Sequence, residues 1–281
     1  MIWNPTIETM EREEMQKLQL ERLKQTVAHA FMNSAHYRQS YKEAGITPDD
    51  VQVLSDLQNL PFTVKTDLRA QYPYGLLAVP MREIARLHAS SGTTGKPIVA
   101  GYTRSDLELW SECVARFAFA AGAREDDIAQ ISFGYSLFTG AFGLHYGLEK
   151  IGATIIPISG GNTERQINVM ADFGATILVS TPSYAMYLAE VAEKMRLTGQ
   201  LKLRIGLFGG EGSTLEMRKE ISRRLRITAT ENYGLTEIIG PGVSGECTAF
   251  CGQHINEDHF YPEIINPETG DVLKAGEKGE L

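Results

Sequence analysis

The sequence predicts an α/β protein of mostly parallel sheets flanked by helices, with an N-terminal helical segment and a C-terminal β-hairpin region. Three observations predict it. From Ile84 onward, short apolar or β-branched runs alternate with segments of helical period, the pattern of successive βα units. Ahead of them, Glu8 to Gly45 carries Met15, Leu18, Leu23, Val27, Ala30 and Phe31 at helical spacing. After Gly234 turn-forming residues dominate, with Pro241-Gly242 and Asn266-Pro267-Glu268-Thr269-Gly270. The expected division is 1–80, a helical segment packing on the main domain, and 81–281, an α/β domain.

Taken in order, the first segment predicts one or two amphipathic helices ended by Gly45 and Pro48. Pro61, Pro73 and Gly75 make the stretch from Pro48 to Pro80 one of short helices and loops. Strands are expected at 84–88, 98–102, 127–132, 153–158, 177–180, 203–208 and 227–230, where apolar runs are too short for helices. Between them, 105–121, 141–150, 163–173, 182–196 and 214–225 have helical period, with Thr163 and Thr214 as N-caps. Residues 261–265 and 271–273 read as a hairpin, and Gly276 to Leu281 as a turn entering a strand that does not finish. A truncated chain is therefore expected.

Composition narrows the function. With 281 residues, 43% hydrophobic and 22% charged, the chain can bury a sizeable core. A net charge of −8 excludes the basic face that nucleic acid or an anionic membrane requires. The N-terminus lacks the apolar stretch of a signal peptide, and no run approaches the roughly 20 apolar residues of a membrane span. Cys113, Cys247 and Cys251 are too few and too uneven for a disulfide framework. A cytoplasmic protein is expected.

Two segments carry chemistry. Ser90-Ser91-Gly92-Thr93-Thr94-Gly95-Lys96-Pro97 lies between two predicted strands; its glycines let backbone N–H groups converge, its four hydroxyls add donors and Lys96 adds charge, a cradle for polyphosphate. A Walker A loop would need Gly at Ser90 and Ser or Thr at Pro97, so this is a different phosphate loop. The bland reading is a polar hairpin turn. Glu231-Asn232-Tyr233-Gly234-Leu235-Thr236-Glu237 follows a predicted strand at the carboxyl edge where open α/β sheets place ligands. Tyr233 offers a face for adenine, Thr236 a hydroxyl for a phosphate and Glu237 an oxygen ligand for Mg²⁺. Alone, a Tyr-Gly pair is a turn and Glu237 a solvated surface group.

In this order the two segments resemble the phosphate loop and the Tyr-Gly-Leu-Thr-Glu motif of the adenylate-forming superfamily. Leu207-Phe208-Gly209-Gly210-Glu211-Gly212 is similar to the glycine turn where that superfamily lets adenine and the acyl group approach the backbone, although Gly210 and Gly212 depart from the usual Gly-Ala-Glu-Pro. Within it, Ile131 to Gly140, Glu246-Cys247 and His254 to Phe260 resemble the phenylacetate-CoA ligase family. The resemblance implies that Phe133, Tyr135 and Phe138 bind the aryl group with Gly209, Asn232 and Pro241, and that Gly210, Glu211, Glu231, Asn232, Tyr233, Gly234 and Thr236 join the phosphate loop in binding ATP. Phe133 stands where the family commonly has tyrosine, and Asn232 where it commonly has an aliphatic residue.

The implied reaction joins an aryl or arylacetic acid to coenzyme A through an acyl-adenylate, releasing AMP and pyrophosphate, in aromatic acid catabolism. Lys96, Thr236 and Glu237 (the Mg²⁺ ligand) are the implied catalytic residues, ATP, Mg²⁺ and coenzyme A the cofactors, and a homodimer the implied assembly. The family's hinge aspartate and adenylation lysine are expected downstream of Leu281, so the chain should bind nucleotide better than it catalyses. Two rivals stand beside this reading: a non-catalytic module binding ATP or an acyl-adenylate, and an adenylating enzyme that transfers to a carrier-protein thiol.

Cys247, Cys251 and His254 have spacing compact enough for a tetrahedral structural zinc site, with His259 or a more distant group as the fourth ligand. The other reading is two reduced cysteines beside a histidine in a loop. His88, His145 and Cys113 read as core residues.

Overall fold

Buried apolar strands joined by amphipathic helices can satisfy both faces only as a layered sheet, and a helix supplies the crossover that parallel strands need. The structure, a computed structural model, describes residues 1–90, 92 and 95–281. It divides into a sheet unit, Met1–Glu8 with Glu83–Ile255, and a helical unit, Thr9–Arg82 with Asn256–Leu281.

The chain begins with α1 (Pro5–Glu8), a single turn. In the helical unit, α2 (Arg12–Asn33) and α3 (Ala35–Glu43) realise the expected helices, and α4 (Lys65–Ala70) lies among short 3₁₀ turns. Val27, Tyr41 and Val51 form its core, with Leu23, Phe31, Tyr37 and Leu60 packed against them. Residues 256–281 group with this unit and Met1–Glu8 with the sheet unit, where 1–80 and 81–281 were expected. Arg12 pairs with Glu257 at 2.5 Å, Gln19 Nε2 donates to the Glu257 carbonyl at 2.9 Å, and Arg22 reaches the Asp258 carboxylate at 3.1 Å. The expected hairpin is reduced to single bridges from Ile265 to Val272 and to Glu280. Its turn does close, with Gly270 N–H donating to the Asn266 carbonyl at 2.8 Å.

In the sheet unit, β1 (Arg86–Ala89) and β2 (Val99–Tyr102) form an antiparallel ribbon. Then come α5 (Arg104–Ala120), β3 (Ile128–Ile131), α6 (Gly140–Ile151), β4 (Thr154–Ile156), α7 (Thr163–Asp172), β5 (Ile177–Ser180), α8 (Pro182–Lys194), β6 (Ile205–Phe208), α9 (Leu215–Leu225), β7 (Thr228–Leu235), β8 (Gly240–Glu246) and β9 (Gln253–Ile255). The seven strands β3 to β9 order as β4-β3-β5-β6-β7-β8-β9, parallel as far as β7 and antiparallel beyond. One core gathers Ile167 and Met170 of α7, Leu188 of α8 and Ile221 of α9 with Leu178, Phe208 and Ala229 of the strands. Burying each of the larger side chains contributes about 1.5–3 kcal/mol.

Caps set the helix starts. Thr214 accepts from Met217 N–H at 3.1 Å as expected. For α7 the cap is Asn162, which accepts from Arg165 N–H at 3.2 Å, so Thr163 is the first helical residue instead. Strands β8 and β9 fall in the segment expected to be loop. All seven residues of β8 are buried, and its glycines serve packing: a Cβ on Gly245 would lie 2.6 Å from Phe117 Cβ, and one on Gly240 2.7 Å from Thr139 Cβ. Glycine and proline that read as turn signals here let α5 press onto a strand.

Candidate active site

The carboxyl ends of parallel strands point loops to one edge, and in open sheets that edge is where ligands bind. Here the loops after β3 and β6, the end of β7 and the start of β8 surround a cavity of about 550 Å³ within the sheet unit. Ser90, just after β1, lines the same cavity as Tyr233, Thr236 and Glu237, so the first residue of one motif segment meets the other segment there.

Ser90 also closes the base of the 90–97 loop. Its backbone N–H donates to the Ile98 carbonyl and its Oγ accepts from Ile98 N–H, both at 2.9 Å, which leaves the hydroxyl hydrogen available to a ligand. Gly92 and Gly95 have φ of +64° and +137°, and Gly95 N–H donates to the Gly92 carbonyl at 3.1 Å. The expected donors Ser91, Thr93 and Thr94 lie outside the described residues. Lys96 is exposed, and neither it nor Gly92 or Gly95 belongs to the cavity wall.

Opposite, β7 shifts register between Tyr233 and Gly234. A Cβ on Gly234 would sit 1.6 Å from the Gly240 carbonyl oxygen, so only glycine allows the crossing that brings Thr236 and Glu237 back to the cavity. Tyr233 lines the cavity and stays 43% exposed, and Thr236 is buried. Glu231 accepts from Ser213 N–H at 3.1 Å and Ser213 Oγ at 2.9 Å; Glu211 accepts from Ser183 N–H at 2.7 Å, at the first turn of α8, where the helix dipole favours a carboxylate. The wall's described residues include three carboxylates, Glu211, Glu231 and Glu237, and no lysine or arginine.

Part of the wall is apolar. Phe133, Phe138, Leu144 and Pro241 line it with Gly209, Gly210 and Asn232. Gly140 opens α6, and a Cβ there would lie 2.9 Å from the Phe138 ring, so the glycine lets that ring fold over the helix start. Trp110 Nε1–H donates to the Pro241 carbonyl and Trp110 stacks on Tyr102 at 5.0 Å, which fixes the Pro241 wall from behind.

A family described as AMP-binding enzyme matches residues 11–281. The chain belongs to the AMP-binding enzyme family. It is 51% identical over 277 residues to a phenylacetate-coenzyme A ligase of Pseudomonas putida, covering 98% of this chain and 63% of that protein. It is 50% identical to one of Escherichia coli (strain K12), covering 98% of this chain and 64% of that protein. It thus spans less than two thirds of the length of these curated relatives. Among solved structures, an open conformation of 2-hydroxyisobutyryl-CoA ligase in complex with 2-HIB-AMP and CoA superposes with a TM-score of 0.93 at 27% identity, over 99% of this chain and 67% of that one.

Family motifs located most of the wall but not all of it. Tyr135 is not in the wall: its hydroxyl meets His145 Nδ1 at 2.8 Å and its ring packs edge-on against Phe142, and burial pushes the phenol up and the His145 imidazole down. Thr139, Gly140, Leu144, Gly212, Leu235 and Gln253 line the cavity without having been singled out as site residues. Leu144 was findable, being one helical turn after Gly140. Gln253 sits in the misread β8–β9 region and gave no signal.

The expected zinc site is not formed: among the described residues no group of three or more His, Cys, Asp or Glu is placed to hold a metal ion. Both thiols turn into their own loop, with Cys247 Sγ accepting from Ala249 N–H at 3.4 Å and Cys251 S–H donating to the Ala249 carbonyl at 3.3 Å. His254 is exposed on β9, and His259 lies in the helical unit. No described helix is long and apolar enough to cross a membrane.

Proposed function

We propose that the chain carries the ATP- and acid-binding part of an AMP-forming ligase that joins an aryl or arylacetic acid to coenzyme A. The observation that carries this reading is that Ser90, then Tyr233, Thr236 and Glu237, and the apolar Phe133, Phe138 and Pro241 all line one cavity. The names of the phenylacetate-coenzyme A ligases support the same substrate class.

Bound ATP would lay its adenine on Tyr233 and its phosphates toward Ser90 and the loop carrying Lys96. An acid seated between Phe133 and Phe138 would present its carboxylate to the α-phosphorus; the new C–O–P bond forms as the bond to pyrophosphate breaks. The coenzyme A thiol then displaces AMP. Most of the acceleration available to these residues comes from positioning and from donors aimed at developing phosphate charge, including the Thr236 hydroxyl. A wall with three carboxylates and no described cation repels a polyphosphate, so a divalent ion held by Glu237 fits this donor set. When bound, Mg²⁺ would neutralise phosphate charge. A homodimer in the cytoplasm completes the proposal; size-exclusion chromatography with light scattering tests its first half.

The deciding experiment is acid-dependent pyrophosphate release by the whole protein, followed by thioester formation with coenzyme A or with a phosphopantetheinylated carrier protein. Release with arylacetic acids and transfer to coenzyme A are expected; transfer only to the carrier would sink the coenzyme A assignment. Lys96→Ala should weaken ATP binding about tenfold, the loss of one charge-assisted contact. Glu237→Ala should mainly raise the magnesium concentration needed for half activity. Unchanged nucleotide affinity in both variants would show that the site is misplaced.

A further inference from the structure

Asn232 places a polar group in the apolar part of the cavity wall, continuous with Phe133 through Gly209 and Gly210. Its amide nitrogen donates to the Phe208 carbonyl at 2.8 Å. A carbonyl can only accept, so this contact fixes which end of the amide is nitrogen and leaves Oδ1 as the acceptor on the wall. Gly209 makes room for that oxygen: a Cβ at 209 would lie 2.8 Å from Oδ1. The residue is 8% exposed, and no described donor is bonded to Oδ1. A purely apolar ring seated there would strip water from this oxygen without replacing the hydrogen bond, and a site holding an unmet polar group discriminates strongly against the guest that leaves it unmet.

We propose that Asn232 Oδ1 selects acids whose ring carries a hydrogen-bond donor, a phenolic hydroxyl or an indole N–H, over the unsubstituted arylacetic acid. This rests on the aryl-acid reading above and narrows it. Asn232 is then a specificity-determining residue. Its pairing with Gly245 of β8 and its bond to the Phe208 carbonyl hold it in place.

The test is kcat/KM for pyrophosphate release by the whole protein with phenylacetate, 3- and 4-hydroxyphenylacetate, 4-methoxyphenylacetate, indole-3-acetate and 1-methylindole-3-acetate. At least one donor-bearing acid is expected to exceed phenylacetate about tenfold or more, and to exceed its methylated counterpart, which fills the same space without donating. In Asn232→Leu the ratio of donor-bearing acid to phenylacetate should fall toward one. That variant also removes the partner of the Phe208 carbonyl, so its thermal unfolding is measured first; if it does not fold, the wild-type ratios decide. Phenylacetate equal to or better than every donor-bearing acid overturns the inference and leaves the aryl-acid reading standing. No release with any aryl acid overturns both.

Discussion

At the residue scale, small side chains decide where large ones can go. Gly147 lies inside α6, where alanine would favour the helix by about 1 kcal/mol. A Cβ there would meet Val114 Cγ1 at 2.2 Å and the Ala115 backbone nitrogen at 3.2 Å, and Val114 is fully buried and stiff about χ1. Overpacking of this kind costs about 1–3 kcal/mol, so it outweighs the propensity gain. Gly147→Ala is expected to lower stability by about 1–2 kcal/mol in urea unfolding. Combined with Val114→Ala, the double variant should lose less than the sum of the singles; strict additivity would place the strain elsewhere. Residues of this sort are not legible in sequence, because a helix glycine carries no sign of which neighbour needs the space. Tyr135 shows the same limit: the motif placed it beside Phe133, but only the fold reveals that its hydroxyl meets His145 and not the cavity.

At the element scale, the parallel strands were legible because each is a short apolar run bounded by helical segments. β8 was not, since its glycines answer to Trp110 and Phe117 on α5, which are distant in sequence. What ties the amino ends of the strands together is also hidden from sequence. Asp127, just before β3, accepts from Thr176 Oγ1 at 2.6 Å, from Arg204 Nε at 2.8 Å and from Arg124 N–H at 2.7 Å, so one buried carboxylate serves the starts of β3, β5 and β6. Arg204 is 43% exposed, so water screens that pair and the hydrogen bonds dominate. Asp127→Ala should cost about 2–4 kcal/mol, the loss of several charge-assisted bonds discounted for that exposure. A loss under about 0.5 kcal/mol, the level of an ordinary surface change, would show that the strands hold their register without it.

At the scale of the molecule, the fold class was legible in the sequence, whereas the cavity's shape, to which Ser90 alone of the first motif's described residues contributes, depended on loops brought together by the sheet. The aromatic side of the sheet unit also sets its response to acid. His88 is buried against Tyr102, Trp110 and Phe142, and His145 is half-buried against Tyr135. Burial holds both imidazoles below the usual histidine range; the neighbouring Arg86 pushes the same way, while the Leu137 carbonyl at His88 and Glu149 at His145 oppose it. A base with a depressed folded-state pKa favours the neutral form on folding. Its stabilising contribution is therefore intact above the unfolded value, about 6.5, and is lost as pH falls below it. Carboxylates held low by backbone N–H groups, such as Asp50 and Asp56, lose their contribution only in the more acidic carboxylate range. The two windows separate, so the unfolding midpoint should already fall between pH 7 and pH 5. In His145→Gln, which keeps an acceptor for the Tyr135 hydroxyl but cannot be protonated there, that fall should be smaller. An equal fall in both proteins would assign the acid sensitivity to groups other than His145.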